Sequence, residues 1–434
     1  MNAFVRTQAT WRRLFSQAGF PSYFIGMFVS LFGTGLNFAA VTLYVLARTG
    51  STVQVSLSVI LLTLPRLIVP LFGGVLTDRV DRRYLGIVLD VVRAVIVFAA
   101  AALAFAGRLE LWQLYLMILL LGAAFAVYWS TSLALLQEII PPVHLVGANA
   151  AALVAVQGGM LAAGAVVGII YDHAGLAPIL AIDGLTYLIS AFCFYRLRSG
   201  YTPPRDAVQP KSVMELDAPA VLALDAAEQP PAVLADIREG LRYLRGQPAV
   251  LALGLTNATM MAGVISANVI VVALSQDLLN AGARGYGYLQ AGWVLGAVAG
   301  GLLALSLGRR QPRSLLISAL IVLAAGHALF PFAGVVAAAV AMNTLFGACR
   351  AVGSVLTQSS ILRVVPQHLM GRTQSAFALI ATALQIVMSF TLGWLAEHTS
   401  LQLAFALLGL LYGIAVLAAI RATQVRVSQA GTAD

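Results

Sequence analysis

Residues Gly73-Gly-Val-Leu-Thr-Asp-Arg-Val-Asp-Arg-Arg83 follow one long apolar run, and Gly300-Gly-Leu-Leu-Ala-Leu-Ser-Leu-Gly-Arg-Arg310 follow another. The two stretches align without a gap. A second pair, Ile139-Ile-Pro-Pro-Val-His-Leu-Val-Gly147 and Val364-Val-Pro-Gln-His-Leu-Met-Gly371, aligns with one residue inserted at the double proline. Each pair has one member in either half of the chain, at matching places. The chain is therefore read as one plan used twice, and the plan lies in the apolar runs between the motifs.

Of the 434 residues, 60% are hydrophobic and 10% charged. A soluble globular chain carries about a quarter charged residues, so an ordinary soluble enzyme is excluded. Cys193 and Cys349 both sit in apolar runs, which excludes a disulfide scaffold and a cysteine-based metal site. A helix needs about 20 apolar residues to cross a bilayer. Twelve such runs are predicted: 22–46, 53–77, 84–107, 111–136, 147–171 and 178–196, then 249–275, 286–307, 314–333, 335–361, 373–396 and 401–420. The first run is too long for a signal peptide and is read as span one.

The net charge of +9 invites a nucleic-acid reading, but basic residues in an apolar chain more often set its orientation. Twenty of the 26 Lys and Arg residues fall in the segments that share a side with the N-terminus. Arg48, Arg108 and Arg284 fall on the other side, and Arg66, Arg93 and Arg350 lie within spans. The bias places both termini in the cytoplasm of a cell whose inner membrane holds the protein. The expected organisation is an all-α membrane protein with an N-terminal six-helix bundle (1–198) and a C-terminal six-helix bundle (249–434). A cytoplasmic linker (199–248) joins them, rich in proline at 203, 204, 210, 219, 230 and 231. Its last part, Asp236-Ile-Arg-Glu-Gly-Leu-Arg-Tyr-Leu-Arg245, has an amphipathic helical pattern. It either lies along the inner membrane surface or feeds span seven. Parallel six-span repeats point to a two-bundle transporter with its substrate held between halves that rock.

The loop residues Gly74, Asp78, Arg79, Asp81, Arg82 and Arg83 resemble the signature loop of the major facilitator superfamily, with Asp81 where glycine is common. The resemblance implies a gate. A carboxylate at the inner end of span two would accept hydrogen bonds from a helix N-terminus at the start of span eleven, around Thr373. The arginines would clamp across the boundary between bundles. Plain topological anchoring explains the arginines but not Asp78. Leu64-Pro-Arg66, Asp90-Val-Val-Arg93, the segment from Pro141 to Asn149, and Asp236 to Arg245 look like the exporter branch that includes the enterobactin exporter and macrolide efflux proteins. That branch often has an Asp after the glycine of span one, where this chain has Thr34 and Asn37. The drug-exporter arginine of span four is missing from Gly122 to Trp129. A proton site must therefore be sought elsewhere.

An ionisable group at membrane depth costs several kcal/mol unless it is paired or wetted. Arg66 and Arg350 either draw an anionic cargo or rest against carbonyls freed by Pro65 and neighbouring helices. Asp90 and Arg93, three residues apart on one helix face, can satisfy each other, and Glu138 can join them. Asp183 is either a site that loads and releases a proton or is bonded to local hydroxyls such as Thr186. His327 is read as a packing residue. Asn37, Tyr128, Trp129, Gln157, Asn257, Gln290, Trp293, Asn343 and Gln385 supply the polar and aromatic groups that a cavity for an amphiphilic organic molecule needs.

No zinc-protease, nucleophile-elbow or phosphate-loop motif is present, so neither an enzyme nor a bound cofactor or metal is expected. The expected function is proton-coupled efflux of an amphiphilic compound, neutral or anionic and siderophore- or drug-like, by a monomer in the bilayer. Protons and the small molecule are its partners, and nucleic acid is not. A lysolipid or metabolite carrier, an importer, and a non-transporting sensor or scaffold are the alternatives.

Overall fold

A computed structural model describes residues 14–17, 19–69, 80–141, 144–197, 233–307 and 312–430. Gly74, Asp78 and Arg79 of the loop motif, most of the linker, and Arg309 and Arg310 lie outside the described residues.

The apolar runs become long helices: α1 (Phe20–Thr49), α2 (Thr52–Ile68), α3 (Arg82–Phe105), α4 (Leu111–Ile139), α5 (Leu145–Ala174) and α6 (Leu176–Arg196). The short α7 (Val233–Gly246) precedes α8 (Pro248–Ala273), α9 (Gly282–Leu307), α10 (Pro312–Leu329), α11 (Val336–Val364), α12 (Gln367–His398) and α13 (Leu401–Ala430). Among the described residues, eleven helices are long and apolar enough to cross a membrane. The twelfth expected span is α2. Its described part is shorter and is interrupted at Pro65, which has no N–H to donate. The termini are set locally. Gly50, at φ 63, closes α1 with its N–H on Leu46 O at 2.8 Å, and the Ser51 hydroxyl caps α2. The Asp81 carboxylate accepts from the Arg83 and Tyr84 amides at 2.9 and 3.1 Å and so starts α3. This gives the aspartate at that turn a local purpose that glycine lacks.

The helices pair in a pattern that recurs six spans later. α1 packs on α5 and α6 as α8 packs on α12 and α13, and α3 packs on α6 as α10 packs on α13. Across the boundary, α2 lies on α12 and α5 on α9. The tightest pair is α9 with α11. A Cβ at Gly296 would collide with the carbonyl of Thr344, and one at Gly347 with that of Trp293, so only glycine permits this approach.

The two ends of the bundle differ. At the end of the short turns, such as Gly50–Ser51 and Thr399–Ser400, one apolar core runs through both halves, including Leu43, Val55, Ile179, Val272, Leu289 and Leu392. Toward the basic end it separates. Tyr23, Leu135, Ala151 and Phe194 belong to one cluster, and Leu244, Leu253, Ile361 and Phe377 to another. The halves are therefore joined at the short-turn end and part toward the basic end. The expected amphipathic helix is α7. It buries Gly240 and Leu244 against the start of α12 and exposes Arg238, Arg242 and Arg245. Glu239 binds Arg372 at 2.7 Å, and α7 leads directly into α8.

Candidate functional site

A cavity of about 370 Å3 lies between the halves. Residues of both halves line it, among them Thr34, Asn37, Arg66, Phe125, Gln157, Asn268, Gln290, Trp293, His327, Asn343, Arg350 and Tyr412. Its lining is mostly apolar with a few convergent polar groups, the usual character of a small-molecule site. Among the described residues, the charged side chains on its wall are Arg66 and Arg350, and none is Asp or Glu.

Both arginines rest on aromatic faces. The Arg66 guanidinium stands 5.3 Å from the Phe125 ring centre, and that of Arg350 stands 5.9 Å from Trp293. Arg66 lies on α2 against α4, and Arg350 on α11 against α9, so the two contacts occupy repeat-related helix pairs. Each has a buried Nε with no hydrogen-bond partner, and Arg350 also points one terminal nitrogen at Met261 Sδ, 3.0 Å away. The carbonyls freed by Pro65 do not take up Arg66.

The polar residues around them hold the wall in place. Gln290 Nε2 and Tyr286 Oη both donate to Asn268 Oδ1, at 2.8 and 3.2 Å. Asn343 Nδ2 donates to Leu289 O at 2.7 Å and ties α11 to α9. Behind the N-terminal wall, Asn37 Nδ2 donates to Asp183 Oδ2 at 2.6 Å, and Thr34 and Tyr187 share a hydroxyl–hydroxyl bond at 3.1 Å. Asp183 is fully buried, and a Cβ on Gly33 would collide with its Oδ1 and with the Thr186 hydroxyl. The Thr186 hydroxyl donates to the Asp183 backbone oxygen at 2.7 Å and, with the Tyr187 hydroxyl, stands beside the carboxylate. Next to this pair, Arg93 is bound to Asp90 and held between two rings. Its guanidinium is 3.9 Å from the Tyr128 centre and 4.4 Å from that of Tyr187. Arg93 is the electrostatic neighbour of both Asp90 and Asp183.

Four residues expected on the wall lie elsewhere. Tyr128 is sealed against Arg93. Trp129 stacks on the cavity residue Phe125 one turn away on α4 and is 36% exposed, but it is not itself part of the lining. Asn257 accepts from Thr357, and Gln385 donates to Thr63 within the α2–α12 seam. Glu138 does not join Asp90 and Arg93. It pairs with Arg82, linking the end of α4 to the start of α3. Thr373 is buried near the start of α12. Sequence reading also missed cavity residues. Tyr187 is one turn from Asp183 on the same helix face, a spacing that could have revealed it. For Asn268 and His327 the sequence carries no distinguishing signal.

The Major Facilitator Superfamily profile matches residues 23–390. The chain belongs to the major facilitator superfamily. It is 25% identical over 412 residues to the uncharacterized MFS-type transporter YfiS of Bacillus subtilis, covering 91% of each chain. It is 24% identical over 300 residues to macrolide efflux protein A of Streptococcus pyogenes, covering 69% of each. Among solved structures, the nucleoside transporter NupG superposes with a TM-score of 0.67 at 14% identity, over 93% of this chain and 99% of that one. The POT family transporter PepTSo superposes at 0.68 and 11% identity, over 94% and 98%. These two likenesses establish the shared fold. This superfamily member is thus a multi-pass membrane transporter for small molecules.

Proposed function

We propose that the protein exports an amphiphilic, anionic organic compound, siderophore- or drug-like, by alternating access and at the expense of a proton gradient. The observation that carries this reading is the shared cavity: apolar and aromatic, with two arginines and no carboxylate on its wall among the described residues. Likeness to macrolide efflux protein A supports export as the direction. The two bundles, 1–198 and 249–434, act as the rocking units, with the basic end and both termini facing the cytoplasm across the inner membrane. The cavity then opens inward, ready to load cargo from the cell. Asp183, one hydrogen bond behind Asn37, is the proton carrier, and Asp90 with Arg93 sets its electrostatic surroundings. The loop from Gly74 to Arg83 closes the inner end when the cycle turns. A monomer suffices, because the halves of one chain enclose the cavity.

The test is transport by purified protein in liposomes under an imposed pH gradient. Uphill movement of an amphiphilic anion that a protonophore abolishes is the expected result. No movement of any candidate cargo, with or without the gradient, would overturn the proposal.

A further inference from the structure

The C-terminal wall of the cavity carries a feature that charge selection by arginine does not require. His327, on α10, is enclosed by the Phe346 ring at 4.3 Å and the Tyr412 ring at 5.1 Å. Its Nδ1 lies 2.7 Å from Leu323 O. A carbonyl oxygen only accepts, so Nδ1 carries the hydrogen, and Nε2 of the neutral ring presents a lone pair. His327, Phe346, Arg350 and Tyr412 all line the cavity, and Arg350 follows Phe346 by one turn on α11. Arg350 offers donors only. One aromatic wall therefore presents a cation that donates and, beside it, a neutral nitrogen that accepts.

We infer that His327 is a specificity-determining residue, and that the cargo is an aromatic acid that also bears a hydroxyl. The carboxylate, or another anionic group, meets Arg350. The ring lies among Trp293, Phe346 and Tyr412, and the hydroxyl donates to His327 Nε2. A cargo lacking the hydroxyl leaves the nitrogen desolvated and unpaired, which penalises binding. This inference rests on the proposed transport of an amphiphilic anion and narrows its class.

The experiment is calorimetric titration of the purified full-length protein in detergent with 1-naphthoate, 4-hydroxy-1-naphthoate and uncharged 1-naphthamide. The hydroxynaphthoate should bind about tenfold more tightly than 1-naphthoate, the effect of one added hydrogen bond, and the amide more weakly than either. His327→Phe, which keeps a ring between Phe346 and Tyr412, should erase that preference, because the hydroxynaphthoate loses its acceptor and 1-naphthoate no longer leaves a nitrogen unpaired. His327→Gln, whose amide oxygen accepts, should retain it and serves if the Phe variant does not fold. Arg350→Gln should weaken both acids by a common factor. Equal affinity of the wild-type protein for the two acids, or equal loss of both in His327→Phe, would overturn the inference. Because the readout is binding, a protein that shows this ladder but moves nothing in liposomes fails only as a transporter. One that transports without discriminating the hydroxyl fails only here.

Discussion

Beneath the N-terminal wall of the cavity lie Asp90, Arg93 and Asp183, three ionisable side chains sealed among tyrosines. On the C-terminal side, carrying the repeat forward from 73 to 300 places Ile317 and Leu320 where α3 has Asp90 and Arg93. There the ionisable groups are His327 and Arg350, and both open onto the cavity. The helix pairings are nonetheless the same in both halves. Pairing depends on broad apolar faces and small residues, which a duplicated gene keeps easily. A buried charge costs several kcal/mol and persists only where it is paired or used. The fold has thus stayed symmetric while the interiors have diverged, one half toward sealed charges and the other toward a surface that meets the cargo.

The largest effect should come from breaking the sealed cluster. Arg93→Ala strands Asp90 in the core and should cost about 3–5 kcal/mol, seen as a loss of folded protein on heating in detergent. The Asp90→Asn/Arg93→Met double variant, with no charge left to strand, should recover most of it. Arg350→Gln should unfold close to wild type, since its charge has no buried partner to abandon. Equal losses at Arg93 and Arg350 would break the contrast between the halves.

Next in size, Asp183→Asn should lower gradient-driven accumulation roughly tenfold or more while downhill exchange continues. Measured side by side in liposomes, unchanged accumulation would remove the proton role from the N-terminal half. A smaller effect separates the starts of α3 and α10, one capped by Asp81 and the other begun by Pro312. Asp81→Ala should cost about 1 kcal/mol and speed amide exchange at Arg83 and Tyr84, whereas Pro312→Ala should leave the first turn of α10 unchanged.

The smallest effects belong to the two seams at the short-turn end. Glu397 accepts from Ser51 Oγ and the Val53 amide at 2.5 and 2.9 Å, tying α12 to the start of α2. Asp172 meets Arg284 at 2.9 Å, tying α5 to the start of α9. Exposed pairs are worth about 0.2–1 kcal/mol, so Asp172→Asn should raise maleimide labelling of a cysteine placed at Thr42 by less than about fivefold. Glu397→Gln should raise it by a similar amount if the seams are equivalent. A much larger response at one seam would show that the halves separate unevenly.

Much of this was legible before any coordinates. Twenty-residue apolar runs and the paired loop motifs announce helices and duplication, because bilayer thickness and water act on every residue alike. The cavity wall was legible only in part. Asn37, Arg66, Gln157, Gln290, Trp293, Asn343 and Arg350 line it. Gln385 and Asn257, with the same chemistry, are spent on bonds between helices. Polarity within a span says that a side chain needs a partner, and says nothing of whether that partner is a cargo or a neighbouring helix. His327 shows the converse. It reads as a packing residue, and it does pack, but it also lines the cavity.

The amino-acid order alone determined the helices and their twofold plan, since both follow from local hydrophobicity and from comparing the chain with itself. Which charges are sealed and which stand free was decided only when six helices closed on six others. Asp90 and Arg93 are neighbours in sequence, but the rings that enclose Arg93 come from α4 and α6, and the amide that meets Asp183 comes from α1. Burial and electrostatic partnership depend on every helix packed around a site, and no single stretch of chain holds that information.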